Sequence, residues 1–364
     1  MPLLRILFYP LSLLYGTIML CRNKLYDVGF FSSSAFNIPI ISVGNLSMGG
    51  TGKTPHIEYL IRLLKPEFYI ATLSRGYGRK TKDFLLADTQ STVNDIGDEP
   101  LQFKNKFPKM PVAVDEKRLR GVKRILELFP SIQSILLDDA FQHRPVKSGL
   151  SIVLTDFNKL YIDDHVVPSG TLREFPMGIK RADIIIITKC PHIPLPIERK
   201  GIVDKLKLLP HQKIFFTTIC YGEFIPLNNK GIAPFSKNYY FEKNYTILIV
   251  TGIANVQPLE HYLKEKTRNI ESHNFSDHHQ FTQNDLKAIE TKFNDISATN
   301  KIIITTEKDA MRLRDKNLSG ILSNLPIFYI PIEIKFCNED EKDFNNYILQ
   351  YVRSNQKNDS VHSK

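Results

Sequence analysis

The 364-residue chain has four cysteines, Cys21, Cys190, Cys220 and Cys337, scattered without a CxxC spacing. That excludes a cysteine zinc site and a disulfide-stapled scaffold, and points to a reducing, cytosolic body. The chain has no internal repeat, and no biased stretch before its last dozen residues. With 42% hydrophobic and 24% charged residues, disorder of the whole chain is excluded too. It also lacks the ~20-residue apolar run that a spanning helix needs. Its most apolar stretch, MPLLRILFYPLSLLYGTIMLC, is free of charge for 16 residues, Ile6 to Cys21, with Pro10 inside it. Leu20 stands where a lipoprotein site would carry a small residue, and no small-residue cleavage site marks a secretory signal. Acids are the scarcer charges, 38 against 48 Lys plus Arg, so the net charge is +10. That balance favours anionic partners, whether phosphates, acidic lipid or nucleic acid.

Wound as a helix, the first segment aligns Arg5, Tyr9, Ser12, Gly16 and Met19 in a weakly polar stripe on an otherwise apolar cylinder. Arg5, Arg22 and Lys24 are its charges before Asp27. Such a helix suits an anionic membrane surface; the competing reading is a helix packed on the protein's own core. Residues 1–24 are assigned to it.

β-rich runs then alternate with helical patterns, the mark of an α/β fold with a mainly parallel sheet flanked by helices. Candidate strands are Ile38–Val43, Tyr69–Ser74, Ser134–Leu137, Ser151–Thr155, Asp183–Thr188 and Lys213–Cys220. Lys117–Phe129 reads as a helix whose basic residues, Arg118, Arg120, Lys123 and Arg124, form either a solvated or a functional face. The first domain spans 25–224. A polar stretch, 225–243, reads as a linker or hinge. A smaller α/β domain, 244–353, has candidate strands at Thr246–Val250, Lys301–Thr305 and Phe328–Ile332, and a disordered tail covers 354–364.

The most informative string is PIISVGNLSMGGTGKTP, an apolar run leading through a Gly-rich loop to a helix start. In Ser47, Met48, Gly49, Gly50, Thr51, Gly52, Lys53 and Thr54, backbone N–H groups converge on phosphate oxygens, Lys53 reaches the β and γ phosphates, and the Thr54 hydroxyl ligates magnesium. Ser47 stands where the P-loop pattern has its first glycine. SILLDDAFQH supplies the acid such a loop needs. Side chains alternate along a strand, so Asp138 is assigned to the metal and Asp139 to the opposite side or to orienting neighbours. In GDEP, one of Asp98 and Glu99 is placed to act as base toward an attacking hydroxyl and the other to support the metal.

The strings SVGNLSMGGTGKTP, LSRGYGRK, GDEPLQ, LDDAFQHR, SGTLREFP, FSDHHQFT and TTEKDAMRL, in that order to about residue 335, resemble those of the tetraacyldisaccharide 4′-kinase family, the lipid A kinases of Gram-negative bacteria. Ala140 departs from the family's usual glycine. The resemblance implies transfer of the γ-phosphate of ATP to the 4′-hydroxyl of an acylated glucosamine disaccharide 1-phosphate, with Mg2+. It places the enzyme at the cytoplasmic face of the bacterial inner membrane, bound to the lipid surface, without nucleic acid or an obligate protein partner. It makes Asp98 the base and His278 its partner, gathers Thr54, Glu99 and Asp138 around magnesium, and puts Gln142, His143, Arg173 and Glu174 at the nucleotide and acceptor site. His279 competes with His278, because sequence does not say which ring faces the cleft. The alternative function is a P-loop ATPase or GTPase switch or assembly factor, with LSRGYGRK and GDEP as switch loops.

Overall fold

The computed structural model describes residues 2–227, 235–314, 318 and 325–357. In chain order the first unit runs α1 (Pro2–Asp27), β1 (Ile40–Asn45), α2 (Lys53–Leu64), β2 (Ile70–Ser74), β3 (Leu85–Leu86), α3 (Val93–Ile96), α4 (Asp98–Lys106), β4 (Val112–Val114), α5 (Arg118–Leu128), β5 (Ser134–Asp138), β6 (Leu150–Asp156), β7 (Ile184–Thr188), α6 (Pro196–Leu206) and β8 (Lys213–Tyr221). β1, β2, β5 and β7 are buried at every position, as their unbroken apolar runs require of parallel strands covered on both faces. The second unit holds β9 (Ile225–Pro226), α7 (Lys237–Glu242), β10 (Thr246–Thr251), α8 (Gln257–Lys264), β11 (Ile270–Asn274), α9 (Gln283–Asp295), β12 (Lys301–Thr306), α10 (Glu307–Leu313) and β13 (Ile327–Ile330). The chain then returns to the first unit with β14 (Ile332–Phe336) and α11 (Asp340–Lys357).

The larger sheet has the order β14-β8-β7-β6-β1-β5-β2-β4-β3, and the smaller the order β11-β10-β12-β13-β9. β1 lies centrally, parallel to both β5 and β6, with Val43 opposite Asp138. The chain therefore leaves β1 where the strand order switches direction, at the carboxyl ends of the strands, the usual ligand crevice of such sheets. α2 buries Ile57, Leu60, Ile61 and Leu64 on the main core, and α11 adds Phe344, Ile348 and Val352 at four-residue spacing.

Three expected boundaries shift. The second unit does not continue to residue 353, because β14 pairs antiparallel with β8 (Ile332 opposite Tyr221) in the larger sheet. The expected linker, 225–243, begins with β9, which pairs with β13 (Tyr329 opposite Ile225), and includes α7; its residues 228–234 lie outside the described set. Two strands thus cross between the units as an antiparallel ribbon, closed by a Gly222 N–H to Pro331 carbonyl bond of 2.9 Å. Paired strand and helix therefore occupy both ends of the stretch that its polar composition marks as a linker. The expected tail at 354 is helical to Lys357, and 358–364 lie outside the described residues.

Candidate functional site

Gly52 caps α2 with φ 90°, a left-handed conformation that glycine adopts without a Cβ penalty. Ser47 needs no such freedom: it forms a bridge with Leu172, and Met48 N–H donates to the Thr171 carbonyl at 2.6 Å. The loop is thereby propped by the segment leading to Arg173. From the end of β1, the Asn45 amide donates to Thr51 Oγ1 at 2.9 Å and its oxygen accepts from Lys53 Nζ at 3.4 Å. Lys53 Nζ lies 3.6 Å from Asp139. Beneath the loop, buried His56 holds the Gly52 carbonyl through Nδ1 at 2.7 Å and Thr217 Oγ1 through Nε2 at 3.1 Å. Burial pulls its pKa down to about 4, against the Gly52 bond, so the ring is neutral and braces the loop without adding charge.

The Thr54 hydroxyl donates to Glu99 Oε1 at 3.1 Å, joining the loop to the first turn of α4. Asp138 is 2% exposed, and its Oδ1 is a buried acceptor without a partner. Burial raises its carboxyl to about 7, reinforced by the charges of Glu99 and Asp139 and opposed by Lys53 and Arg118. Asp139 turns the other way, at φ 47°, and binds Arg173 through both oxygens at 2.7 and 2.9 Å. Asp139 follows the last residue of β5, so a left-handed turn and not strand alternation sets its direction, and it stands beside Lys53. Ala140 lies outside the left-handed region and is packed in the core, so its methyl group is accommodated. Among the described residues no three His, Cys, Asp or Glu side chains form a metal cage. A hydroxyl, Glu99 and an orphaned Asp138 oxygen instead fit Mg2+, which takes one or two carboxylates and completes its shell with water and phosphate.

At the N-terminus of α4, Asp98 meets the second unit. His278 Nδ1 lies 3.2 Å from Asp98 Oδ2. His279 points elsewhere, bonded to Asp285 at 3.0 Å and stacked on Phe275. His278 is in the left-handed region (φ 57°), and its N–H is held by the Gly252 carbonyl at 3.0 Å; such strain in a non-glycine residue is typical of functional positions. Arg312 reaches the same Asp98 Oδ2, lies 3.1 Å from His278 Nδ1, and is anchored to Asp309 at 2.8 Å and the Gly252 carbonyl at 3.1 Å. Lys308 Nζ donates to Glu99 Oε1 at 2.5 Å. Burial alone would raise the Asp98 carboxyl, but the His278 bond and the Lys308 and Arg312 charges hold it below the usual carboxylate range. His278 is shifted up by its bond to Asp98, against burial.

Of the remaining expected residues, Gln142, Arg173 and Glu174 are linked in a second cluster under α1. Glu174, 2% exposed, accepts from Asn23 at 2.7 Å, Gln142 at 3.1 Å, and Arg181 at 2.7 and 2.9 Å. Gln142 also donates to the Asn45 carbonyl at 3.0 Å, which ties this cluster to the root of the phosphate loop. His143 has a buried, unpartnered Nδ1 and is pulled down to about 4 by burial and by Arg118. Arg118, read from sequence as part of a solvated or functional face, is buried and bonds the Asp138 carbonyl at 3.2 Å.

α1 docks through the stripe that looked weakly polar. Ser12 accepts from the Ser169 N–H at 2.8 Å, and Gly16 lies so close to Phe175 that a Cβ would stand 2.4 Å from the ring. The Arg5 side chain lies outside the described residues. Leu7, Leu11, Leu14 and Ile18 face outward, 53–72% exposed. Among the described residues no helix is long and apolar enough to cross a membrane. The sequence reading assigned no role to Lys308, Arg312, His56 or Asn45. Lys308 and Arg312 did carry a signal, four residues apart within TTEKDAMRL.

The family model described as tetraacyldisaccharide-1-P 4′-kinase matches residues 4–353. A tetraacyldisaccharide 4′-kinase of Bacteroides thetaiotaomicron is 44% identical over 358 residues, 97% of this chain and 94% of that one. One of Flavobacterium johnsoniae is 45% identical over 355 residues, 98% and 99% of the two chains. The crystal structure of LpxK from Aquifex aeolicus in complex with ATP superposes with a TM-score of 0.73 at 27% identity, covering 96% of this chain and 99% of that one.

Proposed function

The chain belongs to the tetraacyldisaccharide-1-phosphate 4′-kinase family, and from that premise we propose how its residues divide the work. It is an ATP-dependent phosphotransferase acting on the 4′-hydroxyl of an acylated glucosamine disaccharide 1-phosphate in lipid A biosynthesis. The phosphates of ATP lie in the Ser47–Thr54 loop, held in shape by His56 and Asn45, with Lys53 directed by Asn45 and Asp139. Thr54, Glu99 and Asp138 would hold Mg2+, which would supply neutralisation of the charge on the transferred phosphoryl group.

Asp98 takes the proton of the attacking hydroxyl. Its ionised state is assured by His278 and Arg312, and His278 shares the proton as it arrives. Because the base comes from one unit and its partner from the other, the reaction is completed at their junction. That shared pair is the observation that carries the reading.

The outward apolar face of α1 lies in the lipid surface of the inner membrane, on the cytoplasmic side, with Arg22 and Lys24 near the headgroups. This supports presentation of the disaccharide acceptor near Gln142, His143, Arg173 and Glu174, and the reading requires no protein partner. Incubation with γ-labelled ATP, Mg2+ and the acylated disaccharide 1-phosphate tests it. Label in the lipid supports the kinase; phosphate release stimulated only by another protein supports a switch ATPase.

A further inference from the structure

α4 and α10 run antiparallel, one from each unit, and meet through a ladder of charges. Lys106 and Gln102 bond Glu307 at 2.7 and 2.9 Å, Lys308 bonds Glu99 at 2.5 Å, and Arg312 binds Asp98. Lys106 and Gln102 also hold the fully buried Glu58 at 2.8 and 2.7 Å, so that end of the ladder is rooted in α2. Arg312 is likewise anchored at its far side by Asp309 and Gly252. The Lys308 rung differs. Its side chain is 32% exposed, its ammonium bonds Glu99 Oε1, and that carboxylate oxygen also accepts the Thr54 hydroxyl at 3.1 Å.

We propose that Lys308 is a built-in counter-cation for Glu99, a positioning residue that holds this carboxylate at the Thr54 hydroxyl and yields it to Mg2+ as the nucleotide is loaded. The inference rests on the reading of Glu99 as a metal carboxylate. A magnesium ion sits about 2 Å from its oxygen ligands. A divalent ion and an ammonium on one carboxylate oxygen at such distances repel strongly, so Lys308 leaves Glu99 when the metal arrives. The other rungs stay, because none of them uses a metal ligand. Before loading, Lys308 offsets the repulsion among Glu99, Asp98 and Asp138. After loading, the ammonium is released from Glu99. The exchange links metal loading to a contact between the units.

The test is Mn2+ binding to the ADP-saturated protein, read by electron paramagnetic resonance as loss of the free-ion signal. Removing a competing cation, Lys308→Gln is expected to tighten Mn2+ binding about five-fold, the scale of one partly exposed ion pair. Lys308→Met, which keeps the aliphatic stem, is expected to do the same, and Lys308→Arg to stay within about two-fold of the parent. Glu99→Gln is expected to weaken binding. If Glu99→Gln weakens Mn2+ binding while both neutral Lys308 variants leave it unchanged or weaken it, the counter-cation role is overturned and the metal reading stands. If Glu99→Gln has no effect, the metal reading itself fails and the inference with it.

Discussion

His278 of the second unit and Asp98 of the first face each other at 3.2 Å, Nδ1 to Oδ2, while the adjacent His279 is turned back onto Asp285. The pair shares its carboxylate oxygen with Arg312, so two side chains of the second unit converge on one proton-accepting atom of the first.

Asp98→Ala and His278→Ala are each expected to lower kcat by ~10²-fold or more. Since the residues act as a unit, the double variant is expected to be little worse than the poorer single one. His279→Ala is expected to keep kcat within a few-fold. Steady-state rates at saturating ATP and lipid check this. Multiplicative losses would separate the two residues, and a larger defect at His279 would move the role to that ring.

The contrast between the two histidines shows where sequence reading stops. The phosphate loop was legible because glycine, lysine and threonine at that spacing have few other uses, whereas Asp139 takes its direction from a left-handed turn past the end of β5. Which histidine faces the cleft depends on a left-handed residue held by Gly252, and single-residue patterns do not encode that. Arg312 and Lys308 stayed hidden for a related reason. Cations four residues apart on a helix are ordinary on a solvated face, and the docking of α10 on α4 is what brings them to Asp98 and Glu99. The return of Ile332–Phe336 to the first sheet was equally invisible, because one apolar run passing Pro331 serves two sheets.

His56 carries a stability signature. Its folded pKa, about 4, lies below the ordinary value of 6.5. Between those values the unfolded chain binds the extra proton, so the contribution is fully present above 6.5 and is lost as pH falls toward 4. The loss amounts to about 3 kcal/mol. Chemical denaturation of the parent and His56→Gln at pH 7 and pH 4.5 is expected to show a shallower pH dependence in the variant. Parallel curves would mean that the ring is not buried neutral beneath Gly52.

The two faces of α1 make opposite predictions. Leu14→Asp with Ile18→Asp, on the outward face, is expected to leave thermal stability and ATP affinity unchanged while abolishing flotation with anionic vesicles and raising KM for lipid. Burial of apolar area contributes ~25 cal/mol per Å² only when a membrane covers that face. Unchanged flotation would remove the helix from the membrane reading.

Gly16→Val, on the inward face, drives a side chain into Phe175. Overpacking of this kind costs about 1–3 kcal/mol. The melting temperature is expected to fall by several degrees, with the segment between α1 and β1 becoming more open to protease. A variant as stable as the parent would mean that α1 does not dock as described.

The most direct measurement is phosphoryl transfer itself: γ-labelled ATP, Mg2+ and acylated glucosamine disaccharide 1-phosphate, with the lipid product resolved and its new phosphate located. The expected result is label at the 4′ position in the parent and a loss of ~10²-fold or more in Lys53→Ala, whose missing charge served the β and γ phosphates. Labelled inorganic phosphate without labelled lipid in the parent, or more than half the parent rate in Lys53→Ala, would contradict the account.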